Sequence, residues 1–204
     1  HFHSYRQAAF IGPEGAAMQR CAALGTCHPQ PKHRGAGSLL KFGEILPLSI
    51  KWPNDIYLAG KKLGGILIES NFQGGQWAFS IIGIGLNINQ TEFENLRACS
   101  LKKWTKSPAK IDIRDIFNAI SVEIENYYQL FLANNFEQID KVYHQNLFRM
   151  QTKALFEDET GVFSGKIIRV NPNGHLVLEK SNEIKVYDLK ELRFIFSESK
   201  SARL

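Results

Sequence analysis

The sequence predicts an α+β protein, with a mixed β-sheet carrying packed helices up to about residue 150 and a small barrel of short strands after it. Three observations lead there. Residues 48–89 alternate apolar runs with turn residues, residues 111–147 repeat apolar side chains at helical spacing, and residues 154–196 break into short strands. The expected domains are therefore 1–150 and 151–204.

Taken in order, Gly12–Gly37 sustains neither a period of 2 nor of 3.6, so a loop is expected there. Leu48-Ser49-Ile50-Lys51-Trp52 reads as a strand that must stop at Pro53, because the residue before a proline is pushed towards extended backbone and proline cannot join a ladder. Asn54-Asp55 then lies at the strand mouth, and Ala59-Gly60 supplies a turn that leaves Lys61 and Lys62 beside it. Leu63–Glu69 is an apolar run of strand length, and Gln76–Asn87, entered through Gln73-Gly74-Gly75, completes a hairpin with it.

Ile111–Leu132 is the clearest helix. Asp112 is its N-cap, and Ile116, Phe117, Ile120, Ile124, Tyr127 and Phe131 are expected on its apolar side. A second helix is expected over Asn135–Leu147, burying Phe136, Ile139, Val142, Tyr143 and Leu147. Strands at 154–157, 162–170, 175–179, 184–188 and 192–196, separated by Gly161, Asn171-Pro172-Asn173-Gly174 and Ser181-Asn182, suggest a barrel of SH3-like type.

Composition narrows the function classes. The chain of 204 residues is 44% apolar, enough for a core, and holds no run long enough to span a bilayer. Three scattered cysteines argue against a disulfide framework and for the cytoplasm, and the Cys21/Cys27 spacing suits no common zinc pattern. The net charge of +5 comes from dispersed lysines without a nucleic-acid-binding motif, so neither a nucleic-acid nor a membrane partner is expected. Such a charge is most simply a solvated surface, and it also steers an acidic protein partner.

The chemistry concentrates in Lys51–Gly65. A lysine next to Gly64 and Gly65, whose bare backbone leaves N–H groups approachable, suits an anion. A phosphate- or carboxylate-handling site is the reading. KWPND, then KKLGGILIE, then Ile81-Ile82-Gly83-Ile84-Gly85-Leu86-Asn87-Ile88-Asn89, resembles in order and spacing the catalytic core of biotin–protein ligases. The match is strong over 50–90 and extends to about 196.

That resemblance implies a class II synthetase-like catalytic sheet and an SH3-like C-terminal barrel. It implies ATP and biotin as substrates with Mg2+, a biotinyl-5′-adenylate intermediate, and transfer to a lysine of a biotin carboxyl carrier domain, by a monomer or a homodimer. It implies that Lys62 contacts the carboxylate and phosphate oxygens and that Asp55 serves the acceptor lysine. Asn54 lies near the phosphates, the Gly65 N–H faces the carboxylate end of biotin, Gly83 and Gly85 line the biotin and ribose pocket, and Asn87 pairs with adenine. Read without it, Lys62 is an exposed turn lysine, Asp55 a turn-stabilising carboxylate, and the glycines relief for crowded strands.

The family's GRGRxGR loop has no counterpart here. Gly12-Pro13-Glu14-Gly15 and His33-Arg34-Gly35-Ala36-Gly37 are the nearest fragments, so impaired closure over the adenylate is expected. With only about fifty residues before KWPND, no winged DNA-binding domain is expected in this chain. Two other readings stand beside the ligase: a lipoate–protein ligase or octanoyltransferase, and a non-catalytic carrier-binding protein.

Overall fold

Short turns decide how the first strands pair. The computed structural model describes residues 12–27, 46–74, 76–95 and 97–196. Strands β1 (Leu48–Lys51), β2 (Asp55–Leu58), β3 (Lys61–Gln73) and β4 (Gln76–Leu86) form a sheet in that order, every neighbour antiparallel. The expected mixed sheet is thus corrected to an antiparallel one, with parallel pairing among the described residues limited to isolated bridges such as Ile50 to Leu147 and Lys62 to Ala98. The reason is connection length: a parallel neighbour needs a crossover of about a dozen residues or more, and these strands are joined by tight turns. At the β2–β3 turn Ala59 and Gly60 both take positive φ, 48° and 78°, the backbone a two-residue hairpin favours.

The expected loop at 12–37 is also corrected. Gly12–Cys27 is a helix, α1, whose Ala16, Ala17, Cys21, Ala22, Ala23 and Leu24 are all buried. A helix enclosed all round by small apolar residues has no polar stripe, so it shows no 3.6 period. The rest of that stretch, 28–37, lies outside the described residues. Small side chains let α1 approach the helix α3 (Ile113–Leu132) closely. A Cβ on Gly25 would stand 2.7 Å from the Ile124 backbone nitrogen.

Between β4 and α3 runs a short helix, α2 (Leu101–Thr105), which the sequence analysis did not mark. Ser100 caps it by accepting from the Lys103 N–H. Asp112 caps α3 through the Arg114 N–H, as expected, and Ile116, Ile120, Tyr127 and Phe131 face inward. Phe117 is exposed, a correction, because it sits one residue off that stripe. Helix α4 (Phe136–Gln145), capped by Asn135, buries Ile139 and Tyr143. Phe136, at its first position, is largely exposed and meets Phe131 edge-on.

The chain divides into two units between Phe148 and Arg149. In the second, β5 (Lys153–Asp158), β6 (Gly161–Val170), β7 (Leu176–Lys180), β8 (Glu183–Tyr187) and β9 (Arg193–Phe194) form a separate antiparallel sheet, ordered β8-β7-β6-β5-β9. Its core is Phe156, Ile167, Leu176, Leu178 and Phe194. Among the described residues no helix is long and apolar enough to cross a membrane.

Candidate functional site

Register places the chemistry on one face of the first sheet. Residues paired across a ladder share a face, and along each strand the faces alternate. Lys51 pairs with Asp55, Asp55 with Gly65, Gly65 with Gly85, and Leu67 with Gly83. Lys51, Asp55, Gly65, Gly83 and Gly85 therefore stand on a common surface. Ile66, Ile68, Ile82 and Ile84 occupy the opposite face. There β4 and α3 line an open cleft of about 810 Å3, bordered by Ile82, Ile84, Ile116, Ile120 and Ile124.

Simple alternation back from Gly65 would send Lys62 to the isoleucine face. A bulge prevents this. Ile56 pairs with Gly64 but Tyr57 pairs with Lys62, so Leu63 is the extra residue. Leu63 and Gly64 both bury, and Lys62 comes round to the face of Asp55. Lys62 is thus a strand residue and not the turn lysine of the simpler reading. Its backbone is held on its other side too, its N–H donating to the Arg97 carbonyl and its carbonyl accepting from Cys99.

The result is a carboxylate between two lysines. Lys62 Nζ lies 2.5 Å from Asp55 Oδ1, and Lys51 Nζ lies 3.5 Å from Oδ2. The side chain of Asp55 is 18% exposed and that of Lys51 16%, while Lys62 is 47% exposed. Two cations against one carboxylate leave a net charge of +1, and Lys62 is the more exposed of the two. Such a cluster attracts an anion and has a lysine free to follow it.

The glycines separate into two kinds. A Cβ on Gly64 would fall 2.0 Å from the Gly85 carbonyl oxygen, so the ladder itself demands glycine there. On Gly65 it would meet Asp55 Oδ1 at 3.4 Å, and on Gly83 the Leu67 carbonyl oxygen at 3.7 Å, both ordinary contacts. Neither position has a positive φ that requires glycine. Crowding does not explain Gly83, then, and the open floor beside Asp55 remains available to a ligand.

Asn54 and Asn87 sit at the ends of this floor. The Asn54 carbonyl accepts from the Ile66 N–H, tying the Pro53 turn to β3, and the Pro53 carbonyl accepts from Gln19 of α1. Asn87 follows β4, its N–H donating to the Leu63 carbonyl and its carbonyl accepting from Leu101 at the start of α2. Both carboxamides are on half-buried residues. Sequence reasoning missed Lys51, although its four-residue spacing from Asp55 across the Pro53 turn was a usable signal.

Known proteins resemble this chain in sequence and in fold. The sequence profile of the biotin/lipoate A/B protein ligase family matches residues 19–87, from α1 through the site to Asn87. Over those residues the chain is similar to that family. Among relatives, biotin–protein ligase 2 of Arabidopsis thaliana is 28% identical over 112 residues, covering 55% of this chain and 34% of that protein. The bifunctional ligase/repressor of Bacillus subtilis is 31% identical over 139 residues, 67% of this chain and 43% of that protein. The chain thus spans less than half the length of either relative. The biotin protein ligase of Aquifex aeolicus without ligand superposes with a TM-score of 0.66 at 23% identity, covering 88% of this chain and 76% of that one. The same enzyme in complex with biotin and ATP superposes at 0.65. At that identity the likeness is one of fold.

Proposed function

We propose that this chain is an ATP-dependent biotin–protein ligase. It joins the carboxylate of biotin to the α-phosphate of MgATP, releasing pyrophosphate, and then passes the biotinyl group from the adenylate to a lysine of a biotin carboxyl carrier domain. The observation that carries the reading is the Asp55–Lys62 pair beside glycines that the fold itself does not require. The names of the relatives favour biotin over lipoate or octanoate.

In the first step negative charge builds on the oxygens around the α-phosphorus. Lys62 leaves Asp55 to meet it, and a fixed cation at developing oxyanions is a strong catalytic device. Gly65 and Gly83 give the ligand room to lie against the sheet, while Asn54, Gly85 and Asn87 stand at the rim to position phosphates, ribose and adenine. In the second step Asp55 orients the ammonium of the acceptor lysine and takes its proton. Magnesium enters with the nucleotide as part of the substrate. Among the described residues no cluster of acidic, histidine or cysteine side chains would hold it, and Asp55 is already engaged by two lysines.

Residues 1–150 form the catalytic domain in this reading, and 151–204 an SH3-like barrel, which five short antiparallel strands support. Free, buried Cys21 and Cys99 suit the reducing cytoplasm, and the positive net charge steers an acidic carrier. The test is pyrophosphate release from ATP with biotin, lipoate or octanoate as the acid. Release that depends on biotin and is weak with the other two supports the reading. Equal release with all three, or none with any, overturns it.

A further inference from the structure

The triad on the sheet face has a member for which the proposed reaction has no use so far. Lys51 lies on β1, four residues before Asp55, and reaches the carboxylate oxygen that Lys62 does not. It also stands 5.9 Å over the Tyr57 ring, which itself packs against Phe148 with ring centroids 5.0 Å apart. Lys51 is thereby held by its neighbours, its side chain 16% exposed against 47% for Lys62.

Resting on the ligase reading, we infer that Lys51 is a positioning residue for the transfer step, holding the Asp55 carboxylate aimed once Lys62 has moved to the anion. The two lysines then take turns. In the free protein both contact Asp55, one on each oxygen. When the adenylate forms, Lys62 is drawn to the acyl-phosphate oxygens, and Oδ1 is released. Without Lys51 the carboxylate would at that moment have no cation and no fixed rotamer. With Lys51 on Oδ2, Oδ1 alone faces the incoming ammonium.

The chemistry balances around that oxygen. The acceptor ammonium gives one proton to Asp55 Oδ1. Its nitrogen lone pair forms the new bond to the acyl carbon, the acyl carbon–oxygen bond to phosphate breaks, and AMP leaves with that electron pair. The nitrogen's second proton is lost to solvent as the amide forms, and Asp55 returns its own proton to solvent. Lys51 touches none of the reacting atoms.

The experiment uses the full chain, supplied with preformed biotinyl-5′-adenylate and an acceptor carrier domain, so that only transfer is read. Lys51→Met is expected to slow transfer to the lysine roughly 10- to 100-fold, less than the outright loss of a general base. Lys51→Arg should restore most of it. Reaction of the bound adenylate with hydroxylamine, which is neutral at neutral pH and needs no base, should stay within about twofold. A Lys51→Met protein that slows lysine and hydroxylamine alike, or neither, overturns the inference while leaving the ligase reading in place. If the unaltered chain accelerates no transfer from supplied adenylate, the reading falls and the inference with it.

Discussion

Asp55 and Asp158 each hold a lysine at nearly the same distance, 2.5 Å to Lys62 and 2.6 Å to Lys180. Their surroundings differ. Asp158 is saturated: Oδ2 also accepts from the Tyr187 hydroxyl, and Oδ1 accepts from both the Thr160 N–H and its hydroxyl. Lys180 is likewise shared with Thr160 and stacked 4.1 Å over the Phe163 ring. The side chain of Asp158 is only 7% exposed and that of Lys180 18%. Asp55 has two lysines and a bare glycine floor, and one of those lysines is half in solvent. A saturated pair clamps its sheet, whereas an over-supplied cationic pair beside open space can exchange its partner for a ligand.

The largest effect expected from this contrast is at Lys62. Lys62→Ala should cut adenylate formation by about a hundredfold or more, because the transition-state oxygens lose their cation, while melting stays unchanged. Pyrophosphate release measured beside a thermal melt checks both halves. Lys180→Met should do the reverse, lowering the melting temperature and leaving pyrophosphate release within about twofold, since breaking a satisfied network exposes an unpaired charge. A Lys180 variant that loses activity without losing stability would erase the distinction between the two carboxylates.

The glycines sharpen the comparison at smaller scale. Gly64→Ala should cost about 1–3 kcal/mol by urea unfolding, the range for forcing a group into packed backbone. Gly83→Ala should change stability by less than about 0.5 kcal/mol yet weaken biotin binding about tenfold by calorimetry, because the methyl occupies ligand space and not protein space.

The smallest effect is on pH dependence. The Lys180 ammonium and the Thr160 hydroxyl hold the Asp158 carboxyl well below the usual carboxylate range. A depressed folded-state pKa contributes stability that is complete above the unfolded value near 4 and is lost as pH falls through the folded one. Burial and the bond to Asp158 push the Tyr187 hydroxyl up, so its share is complete below about 10 and is lost as pH rises beyond. Protection of the β5–β8 amides in the whole chain, taken relative to the intrinsic exchange rate at each pH, should fall below about pH 4 and above about pH 10.

Much of this was legible along the chain. The β3–β4 hairpin, the Asp112 cap of α3 and the strand rhythm after Met150 followed from spacing and turn chemistry, whereas Asp55, Lys62, Gly65 and Gly83 were singled out as site residues through the family resemblance. Helix α1 was not legible, because Ala, Gly and Cys buried on every side carry no periodic contrast between core and solvent. The exposure of Phe117 and Phe136 was missed for the opposite reason, since an apolar residue beside a stripe reads as part of it.

By itself, then, the amino-acid order determined which residue types stand close along the chain: proline before Asn54-Asp55, lysine before Gly64-Gly65, glycines two apart in β4. Those are local matters of sterics and hydrogen bonding. Which face each side chain takes was decided by tertiary pairing. The bulge at Leu63 exists only between β2 and β3, and it alone brings Lys62 to Asp55 instead of to the isoleucine face. Lys51 joins them because β1, β2 and β3 lie side by side, and no period within one strand encodes a carboxylate shared by lysines from its two neighbours.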